Sequence, residues 1–280
     1  MAGKLYIVAT PIGNLEDITL RALRVLKEVN LIAAEDTRVT RKLLSRYDIH
    51  TPITAYHQHS GGAKARELAE MIQGGADIAL VSDAGTPGIS DPGHELIAYA
   101  IERNVDIVSI PGPNAIITAL VISGLPATRF AFDGFPPRKE SERKAFFRGL
   151  RSEQRTVVLY ESPRRLVAAL KSALAELGDR RVAVVREATK LFEEVFRGSI
   201  SDAIGHFSLS KPRGEVCLLI EGALDTDNAE PNVSAVEERL RLLIEQGATE
   251  RDAVRRVVEE TNMPHRQVYA AMLRLKQTKP

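Results

Sequence analysis

Short, continuous apolar runs alternate with helix-spaced apolar positions from residue 4 to about residue 220. "KLYIVA" (4–9) reads as a strand, and Leu20, Leu23, Leu26 and Val29 then recur at helical spacing. "LIAAE" (31–35), "PITAYH" (52–57), "DIALVS" (77–82) and "VDIVSI" (105–110) repeat the strand pattern, with helical stretches between them. "RTVVLYE" (155–161), "RVAVVRE" (181–187), "FEEVFRGSI" (192–200) and "RGEVCLLIEG" (213–222) continue it in the second half. Alternating β and α segments predict α/β layers with largely parallel strands, in two domains of about a hundred residues each.

The pattern changes after residue 222. "ALDTDNAEPN" is acidic and proline-broken and reads as a linker. Three short helical patterns follow, with a capping-box-like start at Thr249 and a break at Asn262 to Pro264. The expected organisation is therefore an α/β domain at 1–112, a second at 113–222, a linker at 223–232 and a helix-turn-helix-like module at 233–280. Such a module binds nucleic acid or serves as a structural or dimerisation unit.

Composition narrows the classes. A chain of 280 residues with 44% hydrophobic content buries a sizeable core. No apolar run approaches membrane-spanning length, and the N-terminus enters a strand with no signal-like segment. The single cysteine, Cys217, lies in an apolar run and fits a reducing cytoplasm. Net charge is only +1, but cations cluster locally. Arg38, Arg41, Lys42 and Arg46 follow "LIAAE", and residues 138–151 carry six cations against Glu140 and Glu142. Solvated helix faces and nucleic-acid contacts both fit that pattern.

Three glycine- and proline-rich loops follow strands: "ATPIGN" (9–14), "SDAGTPGISDPG" (82–93) and "IPGPNA" (110–115). Open α/β sheets hold ligands at such strand ends. None of the loops matches a dinucleotide or P-loop pattern. Asp83 and Asp91, with no nearby Lys or Arg, would repel a phosphate and suit a cationic ligand. Asp83, at the strand's end, is expected to face the ligand. Asp91, just before Pro92 at a helix start, is expected to cap the turn.

The segments "VATPIGNLEDITLRAL", "AAEDTR", "SDAGTPGISDPG", "PGPNA", "FDGFPPRK", "YESPRRL", "REATKLFEE" and "GEVCLLIEG" resemble, in order, the tetrapyrrole-methylase family of S-adenosylmethionine-dependent methyltransferases. The resemblance implies two α/β domains with the cofactor folded between them. It places Pro11, Ile12, Gly13, Asp83, Ala84, Gly85, Thr86, Asn114 and Ala115 on one side. Tyr160, Ala188, Gly214 and Glu215 come from the other. It also implies methyl transfer to the 2′-hydroxyl of a cytidine in the decoding region of small-subunit (16S) ribosomal RNA, as RNA or assembled 30S subunit, by a cytoplasmic homodimer that needs no metal. Arg38, Arg41, Lys42, Arg138, Lys139, Arg143, Lys144, Arg164 and Arg165 are then the candidate RNA contacts. Asp36, His57, Glu187 and Lys190, at or near strand ends, are candidate bases. In the family pattern a His often stands where this chain has Arg164, and a Leu where it has Pro136 and Ala188. A corrin-precursor methyltransferase and a ligand-sensing, DNA-binding regulator are the competing readings.

Overall fold

The computed structural model describes residues 2–57, 60–209, 213–223, 233–261 and 265–277. They form two compact units, 1–222 and 223–280. Both sheets lie in the first unit. The linker expected at 223–232 falls, after Ala223, outside the described residues, as does the break at Asn262 to Pro264.

The first sheet joins β1 (Lys4–Val8), β2 (Leu31–Ala34), β3 (Ile53–Ala55), β4 (Ile78–Val81) and β5 (Asp106–Ile110). Its order is β3-β2-β4-β1-β5 and every pairing is parallel. Side chains alternate between its two faces, as the pleat requires. Val8, Ala79 and Val81 pack with α1 (Leu20–Glu28) and α2 (Thr37–Arg46). Leu5, Ile7, Ile78 and Leu80 pack with α3 (Gly61–Gln73) and α4 (His94–Glu102). Helices on both faces bury β4 completely, which explains its unbroken apolar run.

The second sheet departs from the parallel expectation. It joins β6 (Phe130–Phe132), β7 (Thr156–Glu161), β8 (Arg181–Arg186), β9 (Glu194–Ser199) and β10 (Val216–Ile220) in the order β6-β7-β10-β8-β9. Only β6 and β7 pair in parallel. β10 runs antiparallel to both neighbours, and β9 antiparallel to β8. The reason is the order of connections. β7 and β8 run the same way, joined by α7 (Leu166–Leu177), and leave a gap one strand wide. β10 fills it from the opposite direction after α8 (Ile200–Leu209), and β9 folds back on β8 without a crossover helix.

α5 (Ala115–Ser123), although it follows β5, packs on the second sheet, with Ile116, Ala119 and Leu120 against Val158, Val185 and Leu219. α6 (Glu140–Gly149), α7 and α8 cover the opposite face. In the second unit α9 (Val233–Glu245), α10 (Glu250–Thr261) and α11 (His265–Gln277) share a core of Leu240, Leu243, Val254, Val257, Val268 and Met272. Thr249 starts α10 as its sequence suggests: its hydroxyl accepts from the Asp252 N–H and donates to the Asp252 carboxylate. No described helix is long and apolar enough to cross a membrane.

Candidate active site

β4, β1 and β5 are adjacent in the first sheet, so the loops that follow them lie side by side though far apart in sequence. Thr10 and Gly85 exchange both backbone hydrogen bonds, at 2.9 and 3.0 Å, tying the first loop to the second. The Thr10 hydroxyl donates to the Ser82 carbonyl. Asn114, in the third loop, accepts from the Ile117 N–H and thereby caps α5. Across from these loops, register brings the start of β10 beside the ends of β7 and β8. Val216 pairs with both Glu161 and Arg186, and Cys217 with Tyr160 and Val185.

Between the two sets of strand ends lies a cavity of about 460 Å³. Small-molecule sites span about 300–1,000 Å³. Ile12, Asp83, Ala84, Gly85, Thr86, Asn114, Ala115, Tyr160, Ala188, Gly214 and Glu215 line it, which gathers most of the expected cofactor residues. Pro11 and Gly13 do not line it. Gly13 instead meets the 188–190 loop, where a β-carbon would collide with the Ala188 carbonyl, Thr189 and Lys190. The adjacent Asn14 N–H donates to Thr189 Oγ1 at 3.1 Å. These contacts join the first loop to the second sheet at one end of the cavity.

The lining holds five carboxylates (Glu35, Asp83, Asp91, Glu161 and Glu215) and neither lysine nor arginine. Burial raises Asp83, against the opposing Asp36 N–H, which donates to Asp83 Oδ1 at 3.0 Å. Burial raises Glu35 as well. Asp91 is pushed up to about 6 by burial and then by repulsion from Glu35, with a Ser82 hydrogen bond pulling the other way. Its expected capping role is overturned. The N-cap of α4 is Gly93, and no side chain caps that helix. Ser90, held at φ +62°, turns the chain just before Asp91, and the carboxylate lies in the cavity wall.

The four candidate bases occupy other settings, none in the cavity lining. Asp36 caps α2 and is held down to about 2 by hydrogen bonds from the Arg38 side chain and backbone. Lys190 donates to Glu187 and Glu215 at 2.9 Å each. Burial would lower Lys190, but those two carboxylates outweigh it and raise it. Burial likewise would raise Glu187, but Lys190 and the Glu215 N–H outweigh it and lower it. His57 is exposed, its ring 3.2 Å from the Ser60 hydroxyl.

The basic candidates also divide. Arg38, Arg41, Lys42, Arg138, Lys139 and Arg164 are exposed, and Lys144 is partly so. Arg38 pairs with Asp36, Lys139 with Glu142 and Lys144 with Glu140. Arg143 is 7% exposed, and its guanidinium donates to Ser172 and to the Arg138 carbonyl. Arg165 is turned inward too, onto the Pro136 and Pro137 carbonyls and the Glu161 carboxylate. These two arginines are therefore not free to meet a phosphate. Reading from sequence passed over Glu35, Phe135 and Glu161, which also line the cavity. Glu35 and Glu161 end apolar strands, as Asp83 follows one, and that position was the available signal.

A model of the Tetrapyrrole (Corrin/Porphyrin) Methylases matches residues 4–204. The ribosomal RNA small subunit methyltransferase I of Synechocystis sp. is 47% identical over 274 residues, 98% of each chain. The protein of that name from Thermotoga maritima is 44% identical over 220 residues, 79% of this chain and 99% of its own length. Among solved structures, a uroporphyrin-III C-methyltransferase of Thermus thermophilus, complexed with S-adenosylhomocysteine, shares the fold. Its TM-score is 0.54 at 20% identity, covering 78% of this chain and 97% of that one.

Proposed function

The chain belongs to the tetrapyrrole methylase family, and on that premise we propose that it transfers the methyl group of S-adenosylmethionine to the 2′-hydroxyl of a cytidine in small-subunit ribosomal RNA. The carrying observation is the cavity lining: Glu161 and Glu215 are paired with Arg165 and Lys190 outside it, but Glu35, Asp83 and Asp91 make no ion pair among the described residues, and no lysine or arginine lines the cavity. A ligand bearing a sulfonium and an ammonium matches that charge, whereas a nucleotide phosphate would be repelled. The RNA substrate, in preference to a corrin precursor, is supported by near end-to-end similarity to small-subunit methyltransferases. The decoding region as target, a homodimer and a cytoplasmic setting belong to the same proposal, as what the family resemblance of the sequence motifs implies.

When bound, S-adenosylmethionine supplies a methyl group already activated by its sulfonium. Asp83 and Glu35 would hold the positive groups, and Ala84, Gly85, Ala115 and Gly214 would let the backbone approach closely. Orienting the 2′-hydroxyl for in-line attack supplies much of the acceleration. Asp91 is the base on this reading: its carboxylate takes the proton that the 2′-hydroxyl loses, and its pKa of about 6 suits that task. A positioned base contributes roughly 10²- to 10⁴-fold. Lys190, held as an ammonium, and Asp36, held near 2, are poor acceptors by comparison.

The helical module at 233–280 presents substrate to the cavity and takes no part in chemistry. The Thermotoga maritima relative supports the absence of a chemical role, because the match spans nearly its whole length yet only 79% of this chain. The test offers purified protein labelled S-adenosylmethionine with undermethylated small subunits, naked ribosomal RNA or a tetrapyrrole precursor. Label in the 2′-O-methyl of one cytidine of the subunit or RNA is expected. Label in the tetrapyrrole, or in none of the three, overturns the reading.

A further inference from the structure

Resting on the RNA-methylation reading, we propose that Phe135 is a stacking platform for an unpaired nucleobase of the substrate, at or beside the nucleotide that is methylated. Phe135 is a cavity-lining residue and yet 56% exposed. Single exposed apolar residues are ordinary. This one differs because its loop is fixed from three directions.

The first fixing is backbone pairing. The Asp133 N–H donates to the Val158 carbonyl, and the Tyr160 N–H donates to the Gly134 carbonyl at 2.8 Å. The loop thus continues alongside β7 past the end of β6, and Gly134 takes the left-handed φ of +64° that the turn requires. The second is ring contact. Phe135 meets Tyr160 at 5.5 Å between centroids, and Tyr160 meets Phe132 edge-on at 5.0 Å. The third is a buried ion pair. Glu161, whose side chain is fully buried, pairs with Arg165 at 3.3 Å, and Arg165 donates onward to the carbonyls of Pro136 and Pro137.

A flat aromatic ring held this firmly, with its area left open at the wall of a ligand cavity, is prepaid in conformational entropy for something that lies on it. The surrounding charge identifies that something. Arg138, three residues on, and Arg164, next to the arginine that grips the loop, are both exposed and make no ion pair among the described residues. An exposed aromatic ring on a loop that carries one unpaired arginine and is gripped beside another suits single-stranded nucleic acid, the cations meeting phosphate and the ring meeting a base. Chemistry on a ribose within folded RNA also requires the nucleotide to leave its stack, and a platform at the cavity mouth offsets that cost.

The full-length protein is assayed with undermethylated small subunits, comparing wild type with Phe135→Ala, Phe135→Leu and Phe135→Trp. Phe135→Ala is expected to raise KM for subunits roughly five- to a hundredfold, the worth of one base–aromatic stack. S-adenosylmethionine affinity, measured by calorimetry, should stay within about twofold, the salt slope of subunit binding should not move, and Arg138→Ala should flatten that slope. Phe135→Trp should restore KM and Phe135→Leu should not. Unchanged KM in Phe135→Ala overturns the proposal and leaves the RNA reading standing, as does rescue by Phe135→Leu. Weakened cofactor affinity with unchanged subunit KM also overturns it, assigning the ring to the cofactor. A wild-type protein inactive on both subunits and RNA removes the RNA reading, and this inference with it.

Discussion

Asp91 and Glu35 reach one cavity from separate loops, and repulsion between their carboxylates adds to burial in pushing Asp91 up to about 6. Asp83 and Glu215, from opposite sheets, act on Asp91 in the same direction. The cavity therefore holds more negative charge than it tolerates alone, and a cationic ligand relieves it.

Activity should follow the ionisation of Asp91. As a base it works above its pKa, so kcat/KM should climb tenfold per pH unit below about 6 and level off above. A bound cation lowers that pKa, so the limb in kcat should lie at lower pH. Asp91→Asn should lose roughly 10²-fold or more in kcat, lose the limb, and bind the cofactor more weakly at pH 8 than wild type does, because the ligand's charge no longer meets an ionised Asp91. An unchanged pH profile in Asp91→Asn assigns the proton to another group.

Stability of the ligand-free protein should show the opposite preference. Between about pH 4 and 6 the folded state holds a proton on Asp91 that the unfolded chain has released. Folding is therefore less favourable as pH rises through that window. Asp91→Asn should raise Tm at pH 8 and make no difference below pH 4. Thermal melts at the two pH values check this, and saturating S-adenosylmethionine should shrink the gap.

Asp83→Ala should fold and bind S-adenosylmethionine ten- to a hundredfold more weakly, corresponding to a charged hydrogen bond of about 1.5–3 kcal/mol. The carboxylate also accepts the Asp36 N–H, so a small loss of stability should accompany the change. Calorimetry with unchanged affinity would return Asp83 to a purely structural role.

Cations on the two basic helices, α6 and α2, should behave differently from one another. Arg143→Ala leaves Ser172 and the Arg138 carbonyl without their buried donor and should cost about 1–3 kcal/mol of stability. Charge reversal at exposed Arg41 and Lys42 should leave Tm nearly unchanged, weaken subunit binding and flatten its salt dependence. Denaturation and salt titrations separate the two outcomes.

A chain ending at Pro231 should retain cofactor affinity, since every cavity-lining residue lies within the first compact unit. Its methylation of subunits should slow mainly through a higher KM. Lost cofactor binding, or undiminished methylation, would each contradict a purely presenting role for the module.

Much of this was legible along the chain. The three ligand loops stood out because an apolar strand followed by Gly, Pro and Asp is a local signal, and local signals survive folding. Asp91 did not, because "SDPG" before a helix reads equally as a cap, and only the Ser90 turn and the cavity decide between the two. Arg143 looked like a surface cation. Its burial depends on Ser172, 29 residues away on α7, which no helical periodicity reveals. The direction of β10 was equally hidden: "VCLLI" is apolar from either end, and its orientation follows from the gap between β7 and β8. The Phe135 loop lay inside a quoted motif, but its rigidity comes from partners more than twenty residues on, Val158, Tyr160 and Arg165.

The place of β10 also sets a clock on biogenesis. β7 and β8 leave the ribosome before β10 is made, with an unzipped seam of backbone donors and acceptors between them. The strand that closes the seam carries Val216 and Cys217 of the cavity wall at its leading end, just after Gly214 and Glu215. A nascent chain halted before Ile220 thus has neither a sealed sheet nor a finished pocket, and the cofactor has nothing complete to stabilise. Acquisition of the ligand and completion of the fold become a single, late event in synthesis.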